Sequence, residues 1–497
     1  MDIFANQRSL FAIILFFGLL AMTARSATDP DLWWHLRTGQ WIVETGHVPH
    51  TDPFSFTRAG SRWVCHEWMS EVLFYVIWKI GGPVALIVFS SLITTIGFLF
   101  LYSRCHGEPH WAAAATVLGA YASAPCWGTR PQMFTFVFAS LFLWLLERAE
   151  RRHRLLLWIP PLFLLWLNLH GGFALGPVLL FLYAGGLALE AATGTTAWRE
   201  ARPILRRVSL ATLACLALVP LNPSGARLYL YPIETVRAFE LRSLIVEWLS
   251  PDFHQSMYLP CLLVILLVLA ALAWSGVAVR GRVLLPLTFM LLSALDAVRH
   301  IPIFILLAVP VLAQAGSRSS QRVLGLPAPT PRQRSRLVLS WTTIALLAAF
   351  VLWRWTNLAR RQEGREADGF PRNAVTALRT NNLRPSLFAY YDWGGYAIWE
   401  LYPQYRVFAD GRSDLYGDEL MKEAAETLPD LRQGWRADLD RWNVETILIP
   451  PDTALAQALH LDAGWRAFYS DPQAVIFVRR HAEAGVTSGT IAKTGIK

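Results

Sequence analysis

Long apolar runs set the frame of the chain. They cover residues 9–24, 83–102, 111–125, 132–147, 155–169, 172–192, 207–221, 257–274, 283–298, 301–315 and 337–355. Each approaches the ~20 residues that cross a hydrocarbon core as a helix. The pattern therefore predicts a polytopic α-helical membrane protein with about eleven transmembrane helices. The first run follows Arg8 and is either a signal peptide or a retained span; a retained span fits a polytopic chain better. Polar connections between the runs are mostly short. The conspicuous exception is TDPDLWWHLRTGQWIVETGHVPHTDPFSFTRAGSRWVCHEWMSE, residues 28–71, dense in acids, histidines and tryptophans.

Beyond residue 356 the periodicity changes. After a basic linker (357–369), residues 371–382 and 417–428 read as helices. Residues 387–391, 396–401, 406–411, 445–451 and 474–480 read as strands. This is a small α/β unit of ~110 residues, large enough for its own core. The tail from about 482 has little apolar content and is expected to be disordered. The predicted organisation is 1–82 (first helix and a large loop), 83–355 (helical bundle) and 356–497 (C-terminal α/β domain).

Charge adds orientation. Connections 147–154, 195–207, 279–282 and 317–336 are rich in arginine. Connections 126–132, 168–172, 222–256 and 298–300 carry far fewer cations, and the two sets alternate. Arginine-rich loops stay in the cytoplasm. The N-terminus is then cytoplasmic, while loop 28–71 and residues 356–497 lie on the extracytoplasmic face of the cytoplasmic membrane. With 54% hydrophobic and 16% charged residues, a 497-residue chain has too little charge to clothe a soluble surface. The net charge of +9 sits in short clusters between spans, which points to membrane topology and away from nucleic acid. The five cysteines show no CxxC spacing, so neither a disulfide framework nor a cysteine zinc site is expected.

Candidate chemistry concentrates on the outer side. Asp29 suits an N-cap with Pro30 at the first helical position. Asp31 would then lie inside that helix, one turn from His35 and on its face. An interfacial amphipathic helix with tryptophans at headgroup level explains the apolar positions. HEW (66–68) begins a second such helix, with Glu67 and Glu71 one turn apart; it lacks the second histidine of HExxH. Asp52, before Pro53, reads as a turn residue. Other polar outliers fall at outer span ends: Arg130 and Gln132, Asn168 and His170, Asn222, Glu247 and Asp252, then Asp296, Arg299 and His300. Acids and cations gathered at one face suit a reaction on a phosphorylated lipid-borne substrate. Arg130, Arg299 and His300 would neutralise a leaving phosphate, and an outer carboxylate would serve as general base.

Residues 28–71 resemble the first outer loop of GT-C glycosyltransferases, which use polyprenyl-phosphate-linked sugars. DLWWHLRTGQWIVETG (31–46) is similar to the segment of the oligosaccharyltransferase catalytic subunit that begins with its essential aspartate. Counting back from Arg37 and Gly46 places that aspartate on Asp31. YYDWGGY (390–396) resembles the WWDYG motif, as does FADGRSDLYG (408–417), and LIVEWLSP (244–251) is similar to the outer loop carrying a metal-associated glutamate. Together with NLHGG, these motifs resemble those of a bacterial branch of such proteins. The resemblance implies a membrane glycosyltransferase with Asp31 as the base, assisted by His35 and Glu67. Arg130, Arg299 and His300 would hold the donor phosphate. Tyr391, Asp392 and Trp393 would contact the acceptor, be it glycan, lipid or protein. A divalent metal, Mg2+ or Mn2+, would sit on Asp29, Asp31 and Glu247. The second outer loop, CWGTRPQ, lacks the paired acids usual in the family, which counts against the metal. A different class, a non-catalytic transporter or assembly factor for envelope polysaccharide, would require charged groups lining a path through the spans; Asp296 is the nearest candidate.

Overall fold

A computed structural model describes residues 7–237, 243, 245–274, 279–324, 333–427 and 429–480. The expected disordered tail lies outside the described residues.

Every predicted apolar run is helical. The helices are α1 (Gln7–Thr23), α2 (Leu32–Thr45), α3 (Trp68–Arg104), α4 (Pro109–Ala122), α5 (Gln132–Ala149), α6 (Ile159–Leu169), α7 (Leu175–Ala192), α8 (Trp198–Leu218), α9 (Tyr231–Arg237), α10 (Leu259–Trp274), α11 (Gly281–Asp296), α12 (Ile301–Leu324) and α13 (Gln333–Gly369). Among the described residues, seven helical stretches are long and apolar enough to cross a membrane: Trp68–Arg104, Gln132–Ala149, Gly171–Ala192, Trp198–Leu221, Ser256–Trp274, Val298–Ser320 and Ser340–Gly369. The other four predicted runs form the shorter α1, α4, α6 and α11, of 17, 14, 11 and 16 residues. The expected eleven are thus seven full-length helices and four short ones.

Helix α3 joins the predicted interfacial segment to the predicted span. Its backbone leaves helical geometry at Gly81 and Gly82, and Gly82 has φ +57°. Pro83 then opens the second part, where a missing N–H costs nothing.

Among the described residues, connections of the same set contact one another. The arginine-rich set interlocks. Buried Arg282 donates to Glu190 at 2.5 Å and to Glu150 at 3.0 Å, and Arg104 donates to Glu147 at 2.8 Å. In the other set, the Asn222 amide donates to the His66 carbonyl at 3.0 Å and to Asn168 Oδ1 at 3.1 Å. Trp68 Nε1 reaches the same Asn168 oxygen at 2.8 Å.

Residues 372–479 form helices α14 (Arg372–Asn381), α15 (Gly394–Leu401), α16 (Ser413–Lys422), α17 (Trp435–Arg441) and α18 (Ala454–Leu461). Strands β1 (Ser386–Ala389), β2 (Arg406–Val407), β3 (Thr446–Ile449), β4 (Trp465–Ser470) and β5 (Val475–Arg479) make one sheet of order β2-β1-β3-β5-β4. Strand β1 runs parallel to β2 and β3; β5 is antiparallel to β3 and β4. Alternate residues face opposite ways, so the sheet buries both faces. Leu387, Ala389, Leu448 and Ile476 join the core shared with the helical bundle. Phe388, Ile447, Ile449 and Phe477 pack in a second core with Leu420, Leu439 and Leu455 from α16, α17 and α18.

One strand expectation is corrected here. Residues 396–401 are helical, within α15, and bury Tyr396, Ala397, Ile398 and Leu401. The run YAIWEL is apolar on both faces, so alternation could not separate strand from helix; packing against α2 decides it. Strand β2 is also shorter than the predicted 406–411, and β4, α17 and α18 were not foreseen.

The large loop docks on this sheet. Ser55 forms a parallel bridge with Val407. Phe56 N–H donates to the Val407 carbonyl at 3.0 Å, and Val407 N–H to the Phe54 carbonyl at 3.2 Å. Asp52 is the turn residue expected, accepting from Phe54 and Ser55 N–H at 3.0 Å each. It also accepts from Arg412 at 2.7 Å, and Arg412 pairs in turn with Asp410 at 2.7 Å. The Arg412 side chain is 0% exposed, so this pair of acids holds a fully desolvated cation between loop and sheet.

Candidate active site

Helix α2 starts two residues later than the sequence predicts. Asp31, not Asp29, is its N-cap residue, and the Asp31 side chain makes no capping bond. Asp29 Oδ1 instead accepts the Asp31 N–H at 3.0 Å, closing the turn before the helix. The Asp31 carboxylate is thereby free to face sideways. It accepts from Trp34 Nε1 at 3.3 Å and pairs with the Arg130 guanidinium at 3.0 Å.

Arg130 comes from the connection before α5 and is the hub of the site. Its guanidinium contacts Asp29, Asp31 and Glu247 together. Gln132 Nε2 donates to the second Glu247 oxygen at 2.9 Å. The cluster opens to solvent: the Arg130 side chain is 20% exposed and that of Asp31 28%. Burial pushes the Asp31 carboxyl up, Arg130 opposes this and neighbouring Asp29 adds to it, leaving a pKa of about 7. Burial disfavours the Arg130 charge, but Asp31, Asp29 and Glu247 outweigh it and hold its pKa above the usual value. Gly411, between Asp410 and Arg412, closes the far side. A Cβ there would collide with the Asp31 carboxylate and stand 2.8 Å from Trp34 Nε1.

The three acids expected to hold Mg2+ or Mn2+ do converge, but on a guanidinium. Arg130 already supplies the positive charge at their centre, and a dication would be forced against it. The residues therefore do not fit a divalent metal at this point.

His35 and Glu67 lie in a second, deeper cluster with Glu71. His35 Nδ1 is 3.9 Å from Glu67 Oε1 and 3.7 Å from Glu71 Oε1. Burial lowers the His35 pKa well below its ordinary value, so the ring is neutral. Burial, with Glu71 beside it, pushes Glu67 well above the carboxylate range.

The remaining candidates divide. Arg299 stacks its guanidinium 4.2 Å from the Trp248 ring, next to Glu247 in sequence, and so belongs to the site wall. His300 Nδ1 lies 3.1 Å from the Ser293 carbonyl, which ties it to the end of α11. Tyr391, Asp392 and Trp393 form one 3-10 turn ahead of α15. Tyr391 is pushed well above its usual pKa by burial and by nearby Asp31, and Asp392 is raised by burial and by Asp29; both face the Arg130 cluster. Trp393 is turned into the core, its Nε1 donating to the Gly369 carbonyl at 3.1 Å. Asn168, His170 and Asn222 are scaffold. His170 Nδ1 accepts from Gly172 N–H at 3.0 Å and lies 2.7 Å from the Thr135 hydroxyl. Glu71 was not assigned to the site from sequence, and the Asp410-Gly411-Arg412 turn entered only through the resemblance of FADGRSDLYG to the WWDYG motif. The Glu67/Glu71 spacing was the signal for the first, and the DGR turn for the second.

No family model matches the sequence, and no curated protein matches it. Solved structures do match in fold, GT-C membrane glycosyltransferases among them. The chain shares that fold, and its long apolar helices suit a multi-pass membrane protein. One match is the archaeal oligosaccharyltransferase AglB from Archaeoglobus fulgidus in complex with an inhibitory peptide and a dolichol-phosphate. It is 12% identical with TM-score 0.55, over 96% of this chain and 75% of that one. The Archaeoglobus fulgidus oligosaccharyltransferase tethered to an acceptor peptide with an NVT sequon gives 12% identity and TM-score 0.54, covering 95% and 74%. ArnT from Cupriavidus metallidurans bound to undecaprenyl phosphate gives 14% identity and TM-score 0.50, covering 96% of this chain and 98% of ArnT.

Proposed function

We propose that this protein is a membrane glycosyltransferase that moves a sugar from a polyprenyl-phosphate-linked donor to an acceptor at the outer face of the cytoplasmic membrane. The observation that carries the proposal is the pairing of Asp31 with Arg130 in a mostly buried, partly exposed cluster at one end of an apolar bundle. The fold supports it: matching structures contain dolichol-phosphate in one case and undecaprenyl phosphate in another.

In the proposed reaction Asp31 accepts the proton of the acceptor's nucleophilic group. That group bonds to the sugar anomeric carbon, the carbon–oxygen bond to phosphate breaks, and the phosphate leaves on its lipid. Three carboxylates engage the Arg130 guanidinium, so Arg130 fixes Asp31 and balances the acids as the proton moves. Arg299, with His300 behind it, meets the departing phosphate. Tyr391 and Asp392 line the acceptor side, with Trp393 anchoring their turn. His35, one turn along α2 from Asp31, and Glu67, at the start of α3, would assist from the deeper cluster.

The test is Asp31→Asn in the native host, with lipid-linked sugar and surface glycans measured. The expected result is loss of transfer by roughly 100-fold or more, the scale of general-base catalysis. Wild-type glycans and wild-type transfer in vitro from the variant, alongside loss on gene deletion, would sink the assignment.

A further inference from the structure

We propose that His35, Glu67 and Glu71 form a buried binding site for one divalent transition-metal ion of the zinc class, separate from the Arg130 cluster. The three donor atoms lie within 4.8 Å of one another. His35 Nδ1 stands 3.9 Å from Glu67 Oε1 and 3.7 Å from Glu71 Oε1. Donors bound to one ion at about 2.0–2.2 Å stand roughly 3–4 Å apart, so this spacing is close to that of ligands already arranged around an ion.

The second observation is what these atoms lack. His35 Nδ1 and Glu71 Oε1 are buried and have no hydrogen-bond partner. The Glu71 side chain is 1% exposed and that of His35 4%. Buried polar atoms without partners are rare because each forfeits its hydration. Two orphans aimed at one point indicate a missing partner there. It must accept lone pairs from a neutral imidazole nitrogen and from carboxylate oxygens, which describes a cation. Among the described residues, neither Glu67 nor Glu71 pairs with an arginine or lysine.

The outer oxygens are held as an outer shell would hold them. Cys65 Sγ donates to Glu71 Oε2 at 3.1 Å, and His66 Nε2 lies 3.6 Å from Glu67 Oε2. Glu71 thus has one oxygen held from behind and the other turned to His35, and Glu67 turns its Oε1 to the same ring. Such outer contacts orient metal ligands. Local sequence explains the placement. Glu67 and Glu71 stand one turn apart where α3 begins, and His35 arrives from α2, which packs so closely that a Cβ on Gly39 would strike the Glu71 backbone. The histidine that HEW lacks in its own helix comes from the neighbouring one. An imidazole with two carboxylates suits zinc, with manganese the main competitor. The ion would pin α2 to α3 one helical turn below Asp31. That consequence rests on the proposed function; the binding does not.

The test uses the full-length protein in detergent, with metal content read by mass spectrometry. After chelator dialysis, zinc(II) and manganese(II) are titrated separately, and melting temperature is followed. One zinc per chain and a rise in melting temperature are expected. His35→Gln and Glu71→Gln should bind at least 10-fold more weakly, while Glu247→Gln, at the Arg130 cluster, keeps wild-type stoichiometry. Cys65→Ala, which removes the donor to Glu71, should fold and weaken binding roughly 10-fold, the scale of lost outer-shell contacts. The proposal fails if the dialysed wild type binds neither ion above the detergent blank. It also fails if a folded His35→Gln binds zinc as wild type does. Should the ligand variants not fold, unchanged affinity in Cys65→Ala overturns it. Loss of metal with transfer retained would refute a role in catalysis and leave the site intact; loss of transfer in Asp31→Asn with metal retained separates the two assignments.

Discussion

The Asp31 carboxylate sits 3.0 Å from the Arg130 guanidinium and shares it with Asp29 and Glu247. Burial raises Asp31, Arg130 lowers it and Asp29 raises it, leaving a pKa of about 7. A base must be ionised to work, so transfer should rise with pH through a limb near 7 and then level off. Asp29→Asn removes a raising charge and should move the limb to lower pH. Arg130→Gln removes the lowering charge and should move it to higher pH, with a lower plateau. The pH profile of kcat/KM, measured with lipid-linked donor, checks both directions; shifts of the opposite sign would exclude Asp31 as the titrating base.

Gly411 gives a steric test of the same group. Gly411→Ala drives a Cβ into the Asp31 carboxylate. A displacement of about 1 Å at a reacting group costs on the order of 100-fold. We expect that loss in kcat with the fold retained. Gly364→Ala, where a Cβ meets nothing within 4 Å, should leave activity unchanged.

Arg299 should report on the donor. Arg299→Ala leaves the Trp248 ring in place and removes the cation stacked on it. Donor KM should rise about 10-fold or more, and inhibition by free polyprenyl phosphate should weaken in parallel, as loss of a charge-assisted contact requires. Steady-state kinetics with and without added polyprenyl phosphate separate this from a folding defect.

Arg412 predicts stability rather than chemistry. It is fully buried between Asp52 and Asp410, each at 2.7 Å. Removing one member of such a group strands the others, typically at about 3–5 kcal/mol. Arg412→Gln should therefore lower the melting temperature in detergent strongly. Asp52→Asn in the Arg412→Gln background should cost much less than in the wild type, since the cation it serves has gone.

The bundle was legible because membrane helices must satisfy their own backbone groups, and apolar runs follow from that requirement. Residues 396–401 were misassigned because an element buried on both faces carries no alternation to read. The motif singles out Asp31, but the capping logic that set Asp29 aside fails: Asp31 is the N-cap residue, and both acids meet Arg130. What sequence could not show was the partner. Arg130 looked like a phosphate ligand and its three acids like a metal cradle; only distance reveals that they satisfy one another. Glu71 stayed unassigned because its meaning depends on His35, which arrives from a different helix.

The contacts between Ser55 and Val407, Thr57 and Phe408, and Asp52 and Arg412 span some 350 residues of chain. During synthesis the loop bearing Asp31 is made early, while the strand and turn that hold it are made after the last long apolar helix. Until residues 406–412 have been delivered, the segment 52–57 has only its local turn contacts and lacks both its partner strand and the Arg412 cation. On the proposed function, a C-terminally truncated chain would lack the contacts that complete the site, so the site is assembled late in synthesis.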